Sequence, residues 1–101
     1  MADGDLDPVI HAQARLRIMA TLAGLPAGDE ISFPRLRSIL DFSAGNLSTH
    51  LRKLEEAEYV TQTKTFVGRT PATYVALTPR GRRAFETYTE SLSALLGGTP
   101  T

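Results

Sequence analysis

A chain of 101 residues with 42% hydrophobic content is sized for one domain with its own core, and its 11 Lys/Arg balance its 11 Asp/Glu to a net charge of zero. It has no cysteine, which excludes disulfides and thiolate metal sites and fits a reducing, cytoplasmic location. The acidic start MADGDLDP has no apolar run for a secretory signal, and no stretch approaches the roughly 18 apolar residues of a membrane span, so no membrane partner is expected.

The zero sum hides an asymmetry. Residues 35–83 hold nine Lys/Arg against four Asp/Glu, a net of +5, while the flanks hold two against seven, a net of −5. A localised basic surface can neutralise phosphates even in a neutral protein.

Residues 1–6 read as a disordered tail. Asp7-Pro8 is a helix-start signal, a cap followed by a proline whose missing N–H is not needed there. The helix VIHAQARLRIMATLAG should follow, with Ile10, Ala14, Ile18, Leu22 and Leu25 on one stripe and Val9, Leu16 and Met19 on a second. Two apolar stripes suit a helix that is either deeply buried or shared between the core and a partner. His11 reads as a partly buried core or interface histidine, because the only other histidine is His50 and no cysteine completes a ligand set.

Gly24 and LPAGDE form a loop, and Ile31 can pair as a very short strand. Ser32 caps a second helix, FPRLRSIL, with Phe33, Leu36, Ile39 and Leu40 on its apolar face and Arg35 and Arg37 off it. Asp41-Phe42-Ser43 is a tight connection, which makes helices two and three a helix-turn-helix. The third helix runs from Ala44 to about Ala57 with Leu47, Leu51 and Leu54 inward. At 100° per residue Gly45, Ser48, Thr49, Arg52 and Glu56 fall on the opposite side, with Asn46 and Lys53 flanking. Such a face suits a major groove: its first turns are small or hydrogen-bonding and an arginine follows one turn on.

Tyr59 to Phe66 is β-branched and aromatic and reads as a strand; Val67 to Pro71 is a turn; Ala72 to Leu77 alternates as a second strand. Lys64, Arg69 and the hydroxyls of Thr65 and Thr70 are the groups of this hairpin suited to a DNA backbone. Thr78-Pro79 starts the last helix, PRGRRAFETYTESLSALL, which stops at Gly97-Gly98. Phe85, Tyr88, Leu92 and Leu95 form a narrow seam that needs cover from the first helix or from a second chain.

The order helix, helix, helix, hairpin, helix resembles the MarR and ArsR-like winged-helix transcriptional regulators, in a short single-domain form. The matching residues are His11 and RLRIM, GNLSTHLRKLEEAEYV, KTFVGRTPATYVALT and PRGRRAF, spread over residues 7–96. The resemblance implies a mainly α fold with a small β-hairpin, a winged helix-turn-helix with an additional C-terminal helix. It implies a domain over 7–96 that includes a dimerisation helix, with a flexible end at 97–101. It also implies a homodimer on a pseudo-palindromic duplex DNA operator, often as a repressor, with recognition through helix 44–57 and wing 60–77. Glu58 stands where these families usually carry a glycine.

The candidate DNA-binding residues are Arg35, Ser43, Gly45, Asn46, Ser48, Thr49, Arg52, Lys53, Lys64 and Arg69. The candidate dimer interface is Val9, Leu16, Phe85, Tyr88, Leu92 and Leu95. No nucleophile–base constellation, phosphate-binding glycine loop or metal-ligand cluster is present in the sequence, so an enzyme, a cofactor and a metal are not expected. No residue points to a small-molecule effector. The competing expectation is a winged-helix protein-interaction module without DNA binding, with which the net charge of zero and Glu55, Glu56 and Glu58 are compatible.

Overall fold

The computed structural model describes residues 6–97. It contains α1 (Gln13–Ala23), β1 (Glu30–Ser32), α2 (Phe33–Leu40), α3 (Ala44–Glu56), β2 (Val60–Val67), β3 (Thr70–Leu77) and α4 (Pro79–Leu95). The strands form one antiparallel sheet in the order β1-β3-β2. Most of the expected tail 1–6 and end 97–101 lies outside the described residues; within it, Leu6 packs against the core, and Gly97 takes a φ of 78° after α4.

The core is the meeting of the inward stripes. Ile18, Met19 and Leu22 of α1, Leu36 and Leu40 of α2, and Leu47, Leu51 and Leu54 of α3 are buried against Ile31, Val60, Val75 and Leu77 of the sheet. Each such aliphatic side chain contributes about 1.5–3 kcal/mol by leaving water. Ile39, expected on the apolar face of α2, is instead half exposed.

Side-chain caps set three helix starts where the sequence signals them. Ser32 Oγ accepts from Arg35 N at 3.3 Å, Ser43 Oγ from Asn46 N at 3.1 Å, and Thr78 Oγ1 from Gly81 N at 2.9 Å. The start of α1 differs from expectation. Asp7 Oδ1 does accept from Val9 N at 2.8 Å, and His11 N donates to Asp7 O at 2.7 Å, but this makes a single turn. The chain is extended again at Ala12 (φ −133°, ψ 130°) and the helix begins at Gln13. The break seats Ile10 in the core and gives the turn's carbonyls to Arg15, whose Nε donates to Val9 O.

The ends of α2 and α3 share a device. Phe42 N donates to Arg37 O at 3.2 Å and Asp41 N to Ser38 O at 3.3 Å; Tyr59 N donates to Leu54 O at 2.9 Å and Glu58 N to Glu55 O at 2.9 Å. These are Schellman closures, which need a left-handed residue after the helix. Asp41 (φ 57°) and Glu58 (φ 65°) supply it without glycine. For Asp this is a common exception; for Glu58 it costs about 1 kcal/mol.

At the root of α4, Thr78 N donates to Tyr59 O at 3.0 Å and Thr78 Oγ1 donates to Glu58 O at 2.7 Å. The helix lies so close to this backbone that a Cβ on Gly81 would sit 2.1 Å from Tyr59 O. The end of the third helix and the start of the last one are therefore clamped together. From this clamp α4 runs 17 residues, about 25 Å, and the hairpin projects as a ribbon, so the molecule is elongated at 53 × 25 × 23 Å.

Candidate nucleic-acid interface

With Leu47, Leu51 and Leu54 anchored in the core, the outer face of α3 is fixed by helix geometry. Ala44, Gly45, Asn46, Ser48, Thr49, Arg52 and Lys53 are all exposed. Ser43, a candidate contact, uses its oxygen to cap Asn46 N, and Thr49 Oγ1 donates back to Gly45 O at 2.9 Å. Gly45 has nothing within 4 Å of where a Cβ would stand, so packing within the chain does not require a glycine there.

The wing pairs in register from Val60↔Leu77 to Val67↔Thr70, leaving Gly68-Arg69 as a two-residue turn. Gly68 has a φ of 64°, the conformation that such a tight turn demands at its first central position. The strands thus reach further than expected: Val67, Thr70 and Pro71 belong to them. Side chains alternate along a strand, so Val60, Gln62, Lys64 and Phe66 share one face. Thr65 falls on the other face, away from Lys64; so does Thr70, opposite Val67.

The face bearing Lys64 looks toward α3. Between them lies a cleft of ≈ 590 Å³ walled by Phe33, Ser48, Arg52, Glu55, Gln62, Lys64 and Thr73. It brings together Ser48 and Arg52 from the helix with Lys64 from the wing, residues that share nothing in sequence but their expected role. Arg35 and Arg69 are exposed but outside this cleft. Among the described residues, Arg35, Arg52, Lys64 and Arg69 have no hydrogen bond or ion pair through their side chains, so their charges are available to an anion. Arg37 and Arg17 are committed instead: Arg37 Nε donates to Phe42 O at 2.9 Å and Arg17 NH2 to Leu40 O at 3.0 Å, with the Arg17 guanidinium 5.0 Å above the Phe42 ring.

The cleft also holds two residues that were not expected there in this role. Glu55 Oε1 accepts from Gln62 Nε2 at 3.1 Å, tying the last turn of α3 to β2. Gln62 was findable, since it lies two residues from Lys64 and so shares its face. The bond to Glu55 was not, because it depends on how the ribbon leans.

Behind α3, His50 Nδ1 lies 3.3 Å from Arg15 NH1. Burial first, then the charges of Arg15 and Lys53, lower the His50 pKa from its ordinary 6.5, which keeps the ring neutral and accepting from Arg15. Tyr59 OH donates to Asp7 Oδ2 at 2.5 Å, and burial together with that carboxylate pushes the phenol up to about 12.

The expected interface residues divide. Tyr88 is 2% exposed within its own chain, and its hydroxyl lies 2.8 Å from His11 Nδ1. His11 is itself exposed, not partly buried. Val9, Leu16, Phe85 and Leu92 are partly buried at the core's margin, and Leu95 and Leu96 are 58% and 76% exposed. The first helix therefore covers the near part of the α4 seam and leaves its far end open.

A family model described as a winged helix DNA-binding domain matches residues 14–96. The chain belongs to that family. This winged-helix protein is 34% identical over 80 residues to an uncharacterized protein of Methanocaldococcus jannaschii, covering 79% of this chain and 84% of that one. Its fold matches the structure of a transcriptional regulator homologue from Pyrococcus horikoshii OT3 with a TM-score of 0.80 at 30% identity, over 89% of this chain and 86% of the other. The zinc-responsive MarR family member ZitR of Lactococcus lactis shares the fold with a TM-score of 0.63 at 18% identity, over 90% of this chain and 60% of that one. The winged-helix protein thus belongs to a family of DNA-binding domains and has the fold of transcriptional regulators, a fold it shares with a MarR family member. Among the described residues no group of His, Cys, Asp and Glu could hold a metal ion, and no helix is long and apolar enough to cross a membrane.

Proposed function

We propose that the winged-helix protein is a sequence-specific repressor that binds a pseudo-palindromic operator as a homodimer. The observation that carries this reading is the shared cleft: Ser48 and Arg52 of α3 and Lys64 of the wing converge on one surface, and both cations are free of protein partners. In this mechanism α3 enters the major groove with Gly45, Asn46, Ser48 and Thr49 nearest the bases, and Arg52 reads a base edge. Arg35, Ser43 and Lys53 meet the flanking phosphates, and Lys64 and Arg69 carry the wing to the adjoining backbone. The exposed end of α4, Leu95 and Leu96 beside Leu92 and Phe85, together with Val9 and Leu16, supports pairing with a second copy. The pair would set its recognition helices about 34 Å apart, one turn of duplex.

The test is Arg52→Ala against duplexes recovered from a randomised pool. Arg52 is exposed, so the fold is untouched. Losing a base contact should weaken the selected duplex by roughly 5–150-fold, the equivalent of about 1–3 kcal/mol, and mixed-sequence duplex far less. Equal weakening of both duplexes would make Arg52 a phosphate contact and remove the base-reading role.

A further inference from the structure

We propose that Phe66 is an apolar wedge that the wing sets into the DNA minor groove beside each half-site, opening a base step there. The inference rests on the DNA-binding reading above and adds where, and by what chemistry, the wing acts.

Phe66 is 68% exposed and takes no part in the core. A phenyl ring held in water at the end of a hairpin buries little apolar area for the fold. Its position is informative. Phe66 follows Lys64 by two residues on the same strand face, about 7 Å nearer the tip. That face looks toward Ser48 and Arg52 across the cleft, so a duplex seated on α3 meets Phe66 next. The opposite face of β2 presents Thr61, Thr63, Thr65 and, at the end of the strand, the exposed Val67, which is smaller and β-branched.

The surroundings of the ring match the groove. Lys64 on the same face and Arg69 in the turn are exposed cations on two sides of it, suited to the phosphates that rim a minor groove. The partner across the ribbon is Pro71. It lies beyond the stretch ending at Ser32↔Tyr74 where β1 covers β3, and its fixed φ stiffens the tip without breaking the sheet. The minor groove is about 6 Å wide, too narrow for a helix but open to a side chain projecting from a ribbon tip. Apolar side chains inserted there part adjacent base pairs and kink the duplex, at least cost at flexible pyrimidine–purine steps. The wing would then contribute specificity through deformability, without a hydrogen bond to any base.

The experiment uses the full chain and a duplex it recovers from a randomised pool, with 2-aminopurine at successive flanking steps and end labels for energy transfer. The wild type should raise 2-aminopurine fluorescence at one flanking step of each half-site and shorten the end-to-end distance. Phe66→Ala should abolish both signals and weaken binding about tenfold, the lower part of the range for a lost aromatic–base contact. Phe66→Leu should keep most of the bend, and Phe66→Lys should lose it despite the added charge. Thermal unfolding of all three should match the wild type, since the side chain is outside the core. Wild-type affinity and bend in Phe66→Ala, or tighter binding with an unchanged bend in Phe66→Lys, would overturn the wedge and leave DNA binding standing. A wild type that recovers no duplex and ignores mixed-sequence DNA at low salt would overturn both.

Discussion

Replacing Gly45 with alanine separates the cost of glycine in α3 from its use. Gly45 is the second residue of the helix, and a Cβ built there meets no atom within 4 Å. The substitution therefore brings a gain in helix propensity with no steric charge against it. That gain is at most about 0.5–1 kcal/mol, the value for a helix interior, since glycine spends more backbone entropy on becoming helical. For a domain of this size it corresponds to a rise in Tm of a few °C, at most about 8 °C. A residue that weakens its own helix and fills no tight space is explained if DNA, not protein, lies against it. The added methyl would then stand between the α3 backbone and the duplex and hold the free N–H groups of the first turn away from phosphate. Operator affinity should fall about tenfold or more while the melting temperature rises. Differential scanning calorimetry and fluorescence anisotropy on the same preparation measure both. A stabilised variant with unchanged affinity would refute close approach at Gly45, and a destabilised one would refute the open space around it.

Other substitutions test the frame that aims this face. Glu58→Gly should stabilise the chain by about 0.5–1 kcal/mol in chemical denaturation, because it relieves the left-handed closure at the cost only of an exposed 3.7 Å ion pair with Arg80. Gly81→Ala should destabilise by about 3 kcal/mol, since the new methyl would meet the Tyr59 backbone and separate the two bonds made by Thr78. Stability should also depend on pH through His50. Its folded pKa lies below 6.5, so its contribution is present above that value and is lost as pH falls from there through the folded pKa. Denaturation curves across this range should show the loss in the wild type and a smaller one in His50→Gln.

What the sequence makes legible here is mostly local. Ser32, Ser43 and Thr78 sit where a cap must sit, three residues before the N–H that each one satisfies, and the helices they open begin where expected. The leucines of α3 announce its inner face, and so by subtraction its outer one. Asp7-Pro8 carries the same kind of signal, yet only one turn follows, because burying Ile10 and satisfying Arg15 outweigh local propensity. That competition is between residues on different elements and leaves no mark in spacing. The same holds for Gly81, an ordinary glycine in a helix pattern until the Tyr59 backbone is placed against it. It holds too for His50 and Arg15, whose contact joins α3 to α1. Residues of the binding face could be named one by one, whereas their gathering into one cleft depends on the lean of the wing, which Glu55 and Gln62 help to set.

The proposed function requires this surface to bind duplex DNA through its free cations. Fluorescence anisotropy across a salt series, with DNA from the protein's own promoter region beside a mixed-sequence duplex, tests it most directly. Promoter-selective binding is expected, with an affinity that falls steeply with salt and a shallower slope once Lys64 and Arg69 are both replaced by alanine. Weak binding to both duplexes even at low salt, or binding indifferent to salt and to those two residues, would contradict it and favour a protein partner for the winged-helix surface.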